Sequence, residues 1–310
     1  MISLKQINYA LRVGKTLHFK KAADECFISA STLSNAINEM EKQLGFKIFE
    51  RDNRRVIVTK QGEDFLEKAA AISLEVEDIK KISQLYAEPL SHKISIGMIP
   101  TISPFLIPTV LPRLNKDYPE LELQLVEAKS HELVNQIQNG EIDMGILALP
   151  YPIKELRVLK FWAEDFFWIC RADDEKSKTH KITARELDLS ELILLEEGNC
   201  LTDHVLSACN VSYSHHHSFR VSNLSTLIQL VKGGMGTTLI PAMATAELVD
   251  NDLALRKVCL GENSPHREIA LVVRETFVAM HEVELLANIF SEELKKNIGE
   301  PSFKIANVNT

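Results

Sequence analysis

Apolar positions recur at helical spacing through the first part of the chain and then change rhythm. In "LKQINYALRVG", Ile7, Ala10 and Leu11 share one face, which predicts a first helix. "HFKKAADECF" predicts a second, short helix carrying Ala22, Ala23 and Cys26. In "ISASTLSNAINEMEKQLG", Ser29 or Ser31 can cap a third helix, and Leu33, Ile37, Met40 and Leu44 form its buried stripe. Its opposite face shows Ser31, Asn35, Asn38 and Lys42, flanked by Thr32 and Glu39. "GFKIFERDNRRVIVTKQG" then predicts a strand, a turn and a strand, with Arg51, Arg54 and Arg55 at the turn. From Gln61 to Tyr86, positions Phe65, Ala69, Ile72, Val76, Ile79, Ser83 and Tyr86 alternate spacings of four and three, as in a heptad seam.

Beyond "AEPLSHK", strands alternate with helices. Candidate strands lie at 94–98, 121–126, 144–149, 166–170, 192–195, 236–241 and 269–274, with helices such as "FLIPTVLPRLNKDY" between them. The pattern predicts parallel sheets in two lobes around a cleft. Three regions result: a helix-turn-helix head with a wing over 1–60, a linker helix over 61–88 whose seam is expected to pair two copies, the alternative being a helix packed on its own body, and an α/β regulatory body over 91–305. Ligands in such sheets sit beyond the carboxyl ends of strands. That rim receives Thr101, from "GMIPTISP" after the first strand, and Ser130 and His131, from "EAKSHE" after the second.

Charge sharpens the division. The net charge is −8, yet residues 1–60 hold eleven Lys/Arg against six Asp/Glu, so the head is basic and the body strongly acidic. A polyanion therefore meets the head alone. The third helix has no Lys or Arg from Ser29 to Glu41. Base reading then falls to Ser31, Thr32, Asn35 and Asn38, since asparagine can pair bidentately with adenine. Phosphate attraction falls to Lys20, Lys21, Lys42 and the wing arginines. A packing module with no DNA role is the bland alternative. No apolar run approaches a membrane span, and the N-terminus lacks the regions of a signal peptide, so a cytoplasmic protein is expected.

No catalytic triad, phosphate-binding loop or dinucleotide fingerprint is present, and "KGGMGTT" reads as a helix-to-strand turn. Three adjacent histidines in "SHHHS" cannot easily share one ion, so neither metal nor cofactor is expected. The chain has five cysteines, and Cys26, Cys170 and Cys259 lie in apolar runs that suit packing. Cys200 and Cys209 lie in "EEGNCLTDHVLSACN", where Asn199 can cap a helix that begins at Cys200. A helix N-terminus favours a thiolate. Nine helical steps separate the two Cα atoms by about 13.5 Å, against roughly 7 Å for a disulfide. A bond between them requires the helix to open. The spacing alone also allows two unrelated cysteines.

Residues 1–62 resemble the winged helix-turn-helix of LysR-type transcriptional regulators, through "HFKKAADECFISASTLSNAINEMEKQLG" and "IFERDNRRVIVTKQG". The body is similar to the effector domain of that family, through "ISIGMIPTISPFLIP", "GEIDMGILAL" and "GGMGTTLIP". "LEEGNCLTDHVLSACN" narrows the resemblance to the hydrogen-peroxide-sensing activators within it. The resemblance implies a periplasmic-binding-protein-like regulatory domain with Cys200 as peroxidatic and Cys209 as resolving thiol. It implies a peroxide pocket lined by Thr101, Ser130 and His131, with Asp203 an acidic neighbour and Arg267 polarising the thiolate. It also implies promoter DNA as partner, a homodimer through the linker helix that assembles further into a tetramer, RNA polymerase, and thiol reductants for resetting. The chain departs from the pattern at Asn199, where histidine is familiar, and at Ala30, Ser31 and Asn38, where glutamine, proline and arginine are. The alternative is a LysR-type regulator whose cleft between the lobes binds a small-molecule effector. A thiol peroxidase fits poorly with a basic head.

Overall fold

A computed structural model of the chain describes residues 1–52, 55–82, 88–210 and 221–300. Two compact units divide it, Met1–Tyr86 and Ala87–Thr310.

In the first unit, α1 (Leu4–Thr16) starts at a capping box between Ser3 and Gln6. It packs with α2 (Phe19–Glu25) and α3 (Ala30–Leu44). Ser29 is the cap of α3, accepting from the Thr32 N–H, and Gly45 ends the helix with a left-handed φ of 77°. Ala10, Val13, Ala22, Ala23, Leu33, Ile37 and Met40 form the core between the three helices. A hairpin of β1 (Phe49–Asp52) and β2 (Arg55–Val58) follows. The buried Glu41 carboxylate fastens α3 to this hairpin by accepting the N–H groups of Ile48 and Phe49 at 2.9 and 3.1 Å.

The linker helix is α4 (Lys60–Lys81), capped by Thr59. Gly62 lies so close to the Ile48 carbonyl that a Cβ would collide with it. The seam read from the sequence divides along this helix. Phe65 packs on the head's own core and Ala69 is buried, whereas Ile72 and Ile79 stand 43 and 64% exposed, as does Ile82 beside the seam at 44%. Ser83 and Tyr86 lie outside the described residues.

The second unit has two sheets. The first runs β4 (Glu122–Glu127), β3 (Lys93–Met98), β5 (Met144–Leu149), β11 (Arg267–Arg274), β6 (Leu156–Glu164). The second runs β8 (Lys181–Ile182), β10 (Leu255–Leu260), β7 (Phe166–Arg171), β9 (Thr238–Pro241). The expected parallel sheets are corrected to mixed ones. Among the described strand pairs, β3–β4, β3–β5 and β8–β10 are parallel and the rest antiparallel. The chain leaves the first sheet after Glu164 and returns at Arg267, so β11 comes back antiparallel to both β5 and β6. Residues 192–195 form no strand; Leu192 makes a single bridge to Thr237.

The α-helices of the body among the described residues are α5 (Ser103–Asp117), α6 (Ser130–Gln138), α7 (Cys200–Cys209), α8 (Leu224–Lys232), α9 (Ala242–Leu248) and α10 (Met280–Ile298). The loop after β3 and the start of α6 belong to the first lobe; α7 belongs to the second. Trp162, Phe161, Phe166 and Phe290 sit in one apolar core shared by both lobes.

Candidate functional site

On the head, Ser31, Thr32, Asn35 and Lys42 are exposed along α3, and Asn38 is half-buried. Ser29 Oγ ties Ser31 Oγ at 2.9 Å and Thr32 Oγ1 at 2.7 Å, ordering the hydroxyls at the helix start. Arg51 turns back onto the head. It donates to Ser34 Oγ at 2.6 Å and Asn38 Oδ1 at 3.2 Å, and its guanidinium lies 3.8 Å from the centre of the Phe19 ring. Arg51 lies on β1 of the wing hairpin and from there braces the face of α3. Arg55 is exposed on β2, and Arg54 lies outside the described residues.

In the body, the two cysteines bracket α7, the first at position 200 and the second at 209, both buried and both free thiols. Asn199 holds the cap position but makes no capping bond; its amide donates to the Glu196 carbonyl at 3.2 Å. Thr202 Oγ1 donates to the Leu195 carbonyl at 2.9 Å, which folds the approach segment under the first turn.

The expectation of a lowered Cys200 pKa is corrected. Burial pushes this thiol above its ordinary value, and that exceeds the opposing pull of Ser130, of Arg267 and of the backbone N–H; the Asp203 charge adds to the rise. The thiol is only 6% exposed, so desolvation outweighs the helix terminus. Cys209 is pushed up to about 12, by burial first and by the Glu262 charge second.

Ser130 opens α6 and is itself buried; its Oγ has no hydrogen-bond partner of conventional length. Arg267, at the start of β11, is fully buried. It donates to Glu164 Oε1 at 2.8 Å through Nε and at 2.7 Å through a terminal nitrogen. It also donates to Thr101 Oγ1 at 3.2 Å and the Thr101 carbonyl at 3.3 Å. The other Glu164 oxygen accepts the Met243 N–H at 2.8 Å. Because Thr101 Oγ1 is an acceptor here, its proton remains free to donate. The fold thus gathers Cys200, Ser130, Thr101 and Arg267 where the two lobes meet.

Two expected pocket residues sit differently. The His131 side chain is 59% exposed beside Glu132, at 3.8 Å. Asp203 is exposed and disfavours the Cys200 thiolate. Two residues that matter were missed. Glu164 was hidden inside the largely apolar run "KFWAEDFFW", and its signal was the pair of carboxylates, Glu164 and Asp165, interrupting it. His204 is 2% exposed on α7, with Nε2 2.8 Å from the Pro150 carbonyl. Of the cysteines assigned to packing, Cys170 is buried but Cys259 is exposed on β10. Among the described residues no cluster of His, Cys, Asp and Glu could hold a metal, and no helix is long and apolar enough to cross a membrane. The histidines at 215–217 lie outside the described residues.

Comparison with known proteins matches residues 4–63 to the bacterial regulatory helix-turn-helix of the LysR family and residues 87–295 to the LysR substrate binding domain. The chain is 36% identical to the HTH-type transcriptional regulator EstR of Acinetobacter baylyi, over 93% of this chain and 95% of that one. It is 30% identical to the hydrogen peroxide-inducible genes activator of Pectobacterium carotovorum, over 95% of this chain and 97% of that one. Among solved structures, a full-length OxyR variant from Pseudomonas aeruginosa superposes with a TM-score of 0.76 at 27% identity, covering 94% of this chain and 98% of that one. Head, linker and two-lobed body together make this chain a member of the LysR family of DNA-binding transcriptional regulators.

Proposed function

We propose that this regulator senses hydrogen peroxide through Cys200 and stores the signal as a Cys200–Cys209 disulfide. The observation that carries the reading is the placement of two free, buried thiols at the ends of one helix, with Ser130, Thr101 and Arg267 around the first. The similar protein named for peroxide-inducible genes supports it. The Cys200 thiolate attacks one peroxide oxygen. The O–O bond breaks, the S–O bond of a sulfenic acid forms, and the departing hydroxide takes a proton to leave as water. Arg267 and Ser130 favour the thiolate, and the Thr101 hydroxyl donates to peroxide. Cys209 then attacks the sulfenic sulfur, forming the disulfide and releasing a second water. An external dithiol returns both thiols and is itself oxidised.

Opening α7 turns this chemistry into a change of the body. The head binds promoter DNA as a dimer joined through the exposed isoleucines of α4, the dimers pair into a tetramer, and RNA polymerase is the downstream partner. A reducing cytoplasm supplies the reset. The test is promoter binding and transcription by the purified protein with and without peroxide. The reading predicts a peroxide-dependent change that Cys200→Ser loses and a dithiol reverses. A second reading, a small-molecule effector held between the lobes, draws on the similarity to EstR and on a Cys200 thiol whose pKa burial raises. A response that survives Cys200→Ser selects it.

A further inference from the structure

We propose that His204 is the positioning residue that latches the cysteine helix to the first lobe in the dithiol state, and so sets the reduction potential of the Cys200–Cys209 couple. The inference rests on the disulfide reading above and adds the residue that tunes it.

Three positions spaced by four face the first lobe from the cysteine segment. Glu196 pairs with Lys129 at 3.1 Å, Cys200 lies by Ser130, and His204 Nε2 meets the Pro150 carbonyl at 2.8 Å. A carbonyl only accepts, so Nε2 carries the proton. The Lys129–Glu196 pair is a third exposed on both sides and contributes little. His204 itself is 2% exposed and its bond to Pro150 is part-buried, where a hydrogen bond counts for more than at the open surface. The ring's Nδ1 is also buried and has no hydrogen-bond partner, so the Pro150 bond is its one polar tie. Burial lowers the ring's pKa, opposed by the Pro150 bond, aided by the Arg267 charge and opposed again by Asp203.

His204 stands between the two cysteines on α7. The disulfide cannot form while that helix is intact. The Pro150 bond therefore belongs to the dithiol state and is lost on oxidation. A contact present only in the dithiol state favours reduction and raises the potential. Removing it stabilises the disulfide.

The experiment uses the full-length protein equilibrated in thiol–disulfide buffers of graded glutathione ratio, with the Cys200–Cys209 bond counted by mass. His204→Ala is expected to shift the equilibrium about tenfold toward disulfide, a potential about 30 mV more negative. His204→Leu, which fills the volume without a donor, serves the same arm if the alanine variant fails to fold. His204→Gln keeps an N–H for the Pro150 carbonyl and is expected within about threefold of the parent. The stopped-flow rate of the first oxidation at Cys200 is expected to stay within twofold in all variants, because the latch acts on the second step. A donor-less variant with the parent's potential, or a glutamine variant shifted as far as the donor-less one, overturns the latch. A parent protein that forms no Cys200–Cys209 bond in any buffer overturns the disulfide reading itself, a separate and recognisable outcome.

Discussion

Arg267 and Glu164 form an ion pair of 2.7 Å with neither side chain more than 2% exposed. They stand where the chain returns to and leaves the first sheet, so one buried charge pair ties the two lobe crossings together. The same arginine reaches Thr101, which links the crossings to the surroundings of Cys200.

Breaking that pair should be costly. Glu164→Ala leaves Arg267 charged, buried and unpaired, and should destabilise the body by about 3–5 kcal/mol. Denaturant unfolding of the full chain measures it. Glu164→Gln should cost less and should speed peroxide oxidation of Cys200, because the uncompensated Arg267 charge then favours the thiolate more strongly. An unchanged oxidation rate would mean that Arg267 does not act on the sulfur.

Thr101→Val removes a hydroxyl that accepts from Arg267 and has its own proton to give. The first oxidation of Cys200 should slow by about tenfold, the equivalent of one hydrogen bond of about 1.4 kcal/mol. Stopped-flow fluorescence at a fixed peroxide concentration reads this directly.

Acid should weaken the body. Burial lowers the pKa of both His204 and His266. The unfolded chain, with ordinary histidines near 6.5, therefore binds more protons below that pH than the folded one does. The stability these groups contribute is present above about pH 6.5 and is lost as pH falls toward their folded values. Unfolding midpoints at a series of pH values should fall on acidification, and fall less steeply in His204→Gln.

On the head, Arg51 and Arg55 should separate. Arg51 braces Ser34 and Asn38, so Arg51→Lys should change base preference at one position by about 1–3 kcal/mol. Arg55→Ala should leave preference alone and shrink the slope of log affinity against log salt by about one unit per head. Binding of each variant to specific and scrambled duplexes over a salt series decides it.

Much of this was legible in the chain. The stripe of Leu33, Ile37 and Met40, the cap at Ser29 and the hairpin after Gly45 follow from local spacing, and local spacing governs a small helical head. The thiols at 200 and 209 were singled out by the family resemblance; helix geometry alone says only that a bond between them needs the helix to open. The rest was set by distant contacts. Strands β6 and β10 carry charged outward faces, as in "LRVLKFWAE" and "LRKVCL", which blur an apolar run. Residues 192–195 are apolar because they are buried, without pairing as a strand. The thiol of Cys200 was expected to be acidified by the helix start, but the degree of burial that reverses this is a property of the packed lobes. Glu164, 103 residues from Arg267 in sequence, has no local mark of its partner. His131 follows Ser130 by one position, and that single helical step carries its side chain out to solvent.

On the proposed reading, peroxide joins Cys200 to Cys209 by opening α7. The reduced full-length protein is treated with one equivalent of peroxide, digested, and its thiols mapped by mass spectrometry. One intramolecular Cys200–Cys209 bond per chain is expected, absent in either single serine variant and reversed by dithiothreitol. Both thiols recovered free, or Cys200 found only as sulfinic acid with Cys209 unreacted, would overturn the disulfide switch.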